Sequence, residues 1–187
     1  MVTIRTVTWV DAPVERCFRL ATSVSFLLAS AKSGNVKIVN GGKSGCLEQG
    51  DTVTWRGRMF GVGRIHSSHI EIVRPFHYLR EVMVAGGFKL YEHERHFAAM
   101  DDGTRIKDEV RFSAYLGPLG RLIEKAMLRR RLTALLTWRN EALKEVAESD
   151  AWKQFLEGDS EAPATNPQEQ SRRSRSEVEM KSHFIAH

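Results

Sequence analysis

Tyr91, His93, Arg95 and Phe97 alternate along one stretch of the chain, and Ile106, Asp108, Val110 and Phe112 alternate along the next. A period of two places each set on a single face of a strand. Between the stretches stands Asp102-Gly103, a two-residue hairpin signal. With that pair as the turn, Asp101 faces Thr104, Arg95 faces Val110 and His93 faces Phe112, so Arg95 and Asp108 become diagonal neighbours. The shared face carries most of the apolar side chains and is expected to point inward. An imidazole, a guanidinium and a carboxylate converging there admit two readings. Either Arg95 and Asp108 neutralise each other beside a satisfied core histidine, or the set orients the polar end of a ligand in an otherwise apolar pocket. Proton-transfer chemistry would need a base of near-neutral pKa beside an acid or an oxyanion donor, and the candidates are His93 and Asp108, with Tyr91 in reach.

Other residues that carry chemistry offer less. His66, His69, His77 and His96 follow no metal-ligand spacing and fall on different strands and faces, so no metal and no cofactor are expected. Gly41-Gly42-Lys43-Ser44-Gly45 lacks the upstream glycine of a phosphate loop and reads as a plain loop. Arg129-Arg130-Arg131, with Arg121 and Lys125, makes a basic stretch whose members point around a helix rather than to one side. Trp9, Trp55, Phe60, Phe76, Phe88 and Trp138 fill a core or line a cavity, and Trp55 suits the lining because Val53, Trp55 and Met59 share a face.

The elements that must position these side chains follow from patterning. Thr3–Val10 reads as a strand. A helix opens near Pro13, taken as its first helical residue with Asp11 or Ala12 at the cap, and buries Val14, Cys17, Phe18 and Ala21. A second short helix runs from Ser23, its cap, to about Ala31. Strands follow at Val36–Val39, Asp51–Phe60, Val62–Val73, His77–Ala85, Phe88–Met100 and Thr104–Ala114, with glycine or proline breaks between them. Past Gly117-Pro118 an apolar stripe from Leu119 to about Phe155 predicts one long helix of about 45 Å, longer than a small flat sheet needs. A curved antiparallel sheet gripping that helix meets both requirements.

The chain has 187 residues, 42% hydrophobic and 27% charged, which suits one globular domain over 1–156 and a Ser/Glu/Gln/Arg-rich disordered tail over 157–187. The formal charge is +5, yet the tail sets four basic side chains against six acidic ones, so the positive excess belongs to the domain. No nucleic-acid motif accompanies it. No apolar run approaches a membrane span. Met1-Val2-Thr3-Ile4-Arg5 is not a basic region leading into an apolar one, and Cys17 and Cys46 lack paired-ligand spacing; a reducing, cytoplasmic setting is expected.

The element order β-α-α-β6-α resembles the helix-grip α+β fold of the START-like superfamily (SRPBCC). That superfamily includes lipid-transfer domains, polyketide cyclase/dehydrase proteins and birch-allergen-like plant proteins. The strings that carry the resemblance are Ala12-Pro13-Val14-Glu15-Arg16-Cys17-Phe18, Gly50-Asp51-Thr52-Val53-Thr54-Trp55, Tyr91-x-His93-x-Arg95-x-Phe97, Gly103-Thr104-x-x-x-Asp108-x-Val110 and Gly117-Pro118-Leu119-Gly120-Arg121-Leu122. They are most similar to a bacterial ligand-binding branch, in which a second histidine often stands where this chain has Arg95, so two-histidine chemistry is not implied. The resemblance implies an internal cavity and a hydrophobic small-molecule ligand, with Val14, Phe18, Phe26 and Leu27 of the short helices at the cavity's mouth. Three functions remain open: a carrier of a lipid, isoprenoid or aromatic polyketide-like compound; a cyclase or dehydratase; and a protein-interaction module without a ligand.

Overall fold

The computed structural model describes residues 1–33, 37–40, 45–59, 62–114 and 121–156; the expected breaks at Gly34, Gly41-Gly42, Gly61 and Gly117-Pro118, Phe60, and the expected tail lie outside them. Strict alternation makes Val2–Val10 a strand (β1), with Ile4 and Val10 buried and Arg5, Val7 and Trp9 turned outward. Trp9 therefore faces solvent, 54% exposed, and is neither core nor cavity. Pro13 has a ψ of 145°, outside the helical region, so it is the cap and Val14 the first residue of α1 (Val14–Thr22), one position later than expected. Ser23 does cap α2 (Val24–Ser33), its Oγ accepting the Phe26 N–H at 3.3 Å.

Six further strands follow: β2 (Lys37–Asn40), β3 (Thr52–Met59), β4 (Val62–Arg74), β5 (Tyr78–Ala85), β6 (Phe88–Met100) and β7 (Gly103–Ala114). They form a curved antiparallel sheet of seven strands in the order β1-β7-β6-β5-β4-β3-β2. β2 to β7 run as a meander, and β1 closes on the last strand, pairing Ile4 with Val110. This is the helix-grip α+β arrangement the element order implied.

The turn between β6 and β7 is Asp101-Asp102, not Asp102-Gly103, and Met100 pairs with Gly103. Gly103 belongs to the strand because the end of β1 crosses it: a Cβ there would collide with the Val10 carbonyl oxygen, and its φ of +142° disfavours any side chain. The pairing thus differs from the expected one by two residues, an even number, so every side chain keeps its face. Arg95 lies directly opposite Asp108 rather than diagonal to it, and His93 lies opposite Val110.

The long helix, α3 (Arg121–Glu148), is 28 residues, about 42 Å. It stops short of Phe155 because Ser149 is extended and its side chain accepts the Ala151 N–H, starting a 3-10 turn (Asp150–Trp152) and a short α4 (Lys153–Leu156). Three contacts fasten the end of α3: Arg16 Nη1 donates to the Ala147 carbonyl at 2.9 Å, the Asp11 N–H to Glu148 Oε1 at 2.7 Å, and Lys144 Nζ to the Trp9 carbonyl at 2.8 Å. Its inner stripe packs on both sides of the sheet centre. Leu143 and Ala147 join Val10, Phe18, Phe97 and Ile106, while Leu128, Leu132 and Leu136 join Ile4, Phe88, Val110 and Phe112. A third cluster, Val24, Leu27, Leu47, Val53, Ile70 and Leu79, lies beneath α2.

The sheet's outer face carries a ladder of ion pairs over five strands. Arg5 (β1) meets Glu109 (β7) at 2.8 Å, Arg111 meets Glu109 at 2.8 Å and Glu94 (β6) at 3.3 Å, and Arg80 (β5) bridges Glu92 (β6) at 3.6 Å and Glu71 (β4) at 3.0 Å. Among the described residues no helix is long and apolar enough to cross a membrane. Cys17 and Cys46 are both free thiols.

Candidate functional site

Strand register assembles a buried polar cluster on the inner face. Glu81 pairs across the ladder with His93, and Arg95 with Asp108, so β5, β6 and β7 deliver four ionisable groups side by side. His93 Nδ1 is 3.0 Å from Glu81 Oε1 and its Nε2 is 2.8 Å from Asp108 Oδ1. Arg95 Nε stands 2.7 Å from the same Asp108 oxygen, a charge contact whose N–H is not aimed along a hydrogen bond. From α3, Asn140 closes the ring: its Nδ2 donates to Asp108 Oδ2 at 2.7 Å and its Oδ1 accepts from Arg95 Nη2 at 2.7 Å. His93, Arg95, Asp108 and Asn140 are each at most 5% exposed.

Both imidazole nitrogens face carboxylates, which only accept, so both must donate and His93 is an imidazolium. Burial alone would push it toward the neutral form, but the hydrogen bonds to Asp108 and Glu81 outweigh that and raise its pKa above the ordinary value. Burial likewise favours protonated acids. Against it, the His93 hydrogen bond and charge, with Arg139, hold Glu81 down to about 2, and the Arg95 guanidinium, with His93 and Asn140, holds Asp108 well below the carboxylate range. The cluster is therefore a set of matched charges. With both N–H groups donated to carboxylates, neither nitrogen of His93 has a lone pair to take a proton.

One side of the cluster opens into a pocket with an empty volume of about 380 Å³, part of it open to solvent. Glu81, His93, Arg95 and Arg139 form its polar wall; Ala21, Leu27, Leu47, Val53, Trp55, Ile70 and Leu79 form the apolar one. The Arg139 guanidinium lies over the Trp55 ring, 5.9 Å from its centroid. Among the described residues no group of three or more His, Cys, Asp or Glu side chains could hold a metal ion.

Residues 1–148 match the family model described as polyketide cyclase / dehydrase and lipid transport. The chain belongs to that family. Solved structures share its fold at low identity. TTHA0849 from Thermus thermophilus is 19% identical with a TM-score of 0.58, over 76% of this chain and 97% of that one. A START superfamily protein from Mycobacterium smegmatis is 13% identical with a TM-score of 0.56, over 78% and 97%. The di-domain ARO/CYC StfQ from the steffimycin biosynthetic pathway is 13% identical with a TM-score of 0.61, over 80% of this chain and 51% of that one. No curated protein matches the chain.

Within this family member, the residues singled out from sequence separate into two groups. His93, Arg95 and Trp55 line the pocket. Asp108 lies behind them, within the ring, while Phe97, Val110 and Phe112 are buried in the core and Tyr91 is half-buried against Phe88. Phe18 and Phe26 do not stand at this pocket's mouth. Phe18 packs edge-on to Phe76 and Phe97 at 5.7 and 5.2 Å, and α4 folds back to set Phe155 edge-on to Phe26 at 5.5 Å, so both are core. Of the four residues expected at the mouth, Leu27 does line the pocket, with Ala21 of α1 beside it, while Val14 packs against the core. Sequence reasoning missed Glu81, Arg139 and Asn140. Asn140 had a signal: it interrupts the buried stripe Leu128, Leu132, Leu136, Leu143, Ala147, where an amide needs a buried partner.

Proposed function

We propose that this family member binds a hydrophobic small molecule, a lipid, isoprenoid or aromatic polyketide-like compound, reversibly in the pocket beneath α2. The observation that carries this reading is the division of the pocket into an apolar wall of seven side chains and one compact polar wall. Such a division buries an apolar body while a few fixed polar groups set its orientation. The lipid-transport half of the family description agrees with this reading.

Binding without turnover is favoured over a cyclase or dehydratase reaction by the state of His93. A general base needs a free lone pair in reach of the substrate, and both nitrogens of His93 are engaged by ionised carboxylates. The two free thiols suit action in a reducing compartment such as the cytoplasm. Native mass spectrometry of the purified protein, followed by organic extraction, tests the reading. A stoichiometric co-purifying hydrophobe is expected. An empty protein with no thermal shift across a panel of lipids and aromatic compounds would sink it in favour of a ligand-free interaction module.

A further inference from the structure

We propose that the pocket selects a hydrophobic carboxylic acid and that Arg139 seats the carboxylate; this rests on the binding reading above. Arg139 is half-buried on α3 and lines the same cavity as His93 and Arg95. Unlike Arg95, it has no carboxylate within ion-pair distance among the described residues. The nearby acids are engaged: Glu81 Oε1 holds His93, one Asp108 oxygen holds His93 and Arg95, and the other holds Asn140. With His93 an imidazolium, three cations (His93, Arg95, Arg139) stand against two carboxylates, one positive charge in excess at the polar wall. A ligand carrying a single negative charge would cancel that excess.

Geometry suits a carboxylate. The planar guanidinium fork matches two carboxylate oxygens, and stacking over Trp55 holds the fork in place before a ligand arrives. Glu81 does not repel the anion strongly, because its charge is already matched by His93 at 3.0 Å. In the same pocket, Leu27, Val53, Ile70 and Leu79 offer an apolar surface for a branched or aromatic body.

Matched probes test this on the full chain stripped of bound lipid: decanoic, 4-phenylbutyric and 2-naphthoic acids, each beside its own primary amide. Calorimetry or quenching of tryptophan fluorescence gives the dissociation constants. An acid is expected to bind about tenfold or more tightly than its amide. Arg139→Met should remove that preference, the acid and its amide then binding about equally, and Arg139→Lys should restore part of it. Equal binding of acids and amides by the unaltered protein overturns the proposal and leaves hydrophobic binding standing, as does a preference that survives Arg139→Met. If no acid and no amide binds, the binding reading itself falls and this proposal with it.

Discussion

His93 is a donor on both sides, and this gives the protein a pH signature. Its raised pKa means that its contribution to stability is complete below the ordinary imidazole value of 6.5 and is lost as the pH climbs through the raised one. Glu81 and Asp108 are depressed, so theirs is complete above the ordinary carboxylate values; for Glu81 it is lost as the pH falls from 4.5 to about 2. Urea unfolding across the pH range should therefore give a plateau in the mildly acidic region with a falling arm on each side. His93→Gln should flatten the alkaline arm and also shrink the acid one, because the His93 hydrogen bond and charge are what hold Glu81 down and part of what holds Asp108 down. A wild-type stability that climbs above about pH 7 would mean that His93 is neutral. Much of this was legible: alternation alone placed His93, Arg95 and Asp108 together on an inward face. Glu81 was not, because its strand carries no pattern that distinguishes one inward acid from the outward Glu92 and Glu94. Arg139 was hidden too, among other arginines of a basic helix.

Between elements, the ring through Asn140 is the polar tie of α3 to the sheet centre. A leucine at this position would complete the apolar stripe, yet it would leave Asp108 Oδ2 and Arg95 Nη2 without partners in the interior. Asn140→Leu is expected to destabilise by about 2–4 kcal/mol in denaturant unfolding. An unchanged or higher midpoint would show that the helix is held by its leucines alone. Two glycines of positive φ make a second comparison. Gly103→Ala would drive a Cβ into the Val10 carbonyl and should cost about 1–3 kcal/mol, more than Gly50→Ala, whose Cβ meets nothing within 4 Å. Equal costs would mean that β1 yields freely at its end. The boundaries of β6 were readable to the residue, since Gly and Asp flank it. The end of α3 was not: Trp152 and Phe155 extend the apolar periodicity past a break that only Ser149's extended backbone and hydrogen bond create.

At the scale of the molecule, the outer ion-pair ladder and the inner clusters sort charge from apolar bulk across one curved sheet, and that sorting made the fold class readable from alternation. Closure of the sheet depends on β1 lying against β7, with Ile4 beside Val110, over a hundred residues away along the chain. Contacts so distant in sequence form late, because the loop they close must be ordered first. Ile4→Val, costing about 1 kcal/mol, should therefore appear mainly as faster unfolding in stopped-flow chevrons, with the refolding limb little changed. A matching slowdown in refolding would place β1 in the folding nucleus. The same pairing has a meaning for synthesis. The strand that leaves the ribosome first of the seven is the one whose sheet partner leaves last, so Val7 and Trp9 spend most of translation on an unpaired edge, the interval when a nascent chain is most open to misassembly with another copy or to capture by a chaperone.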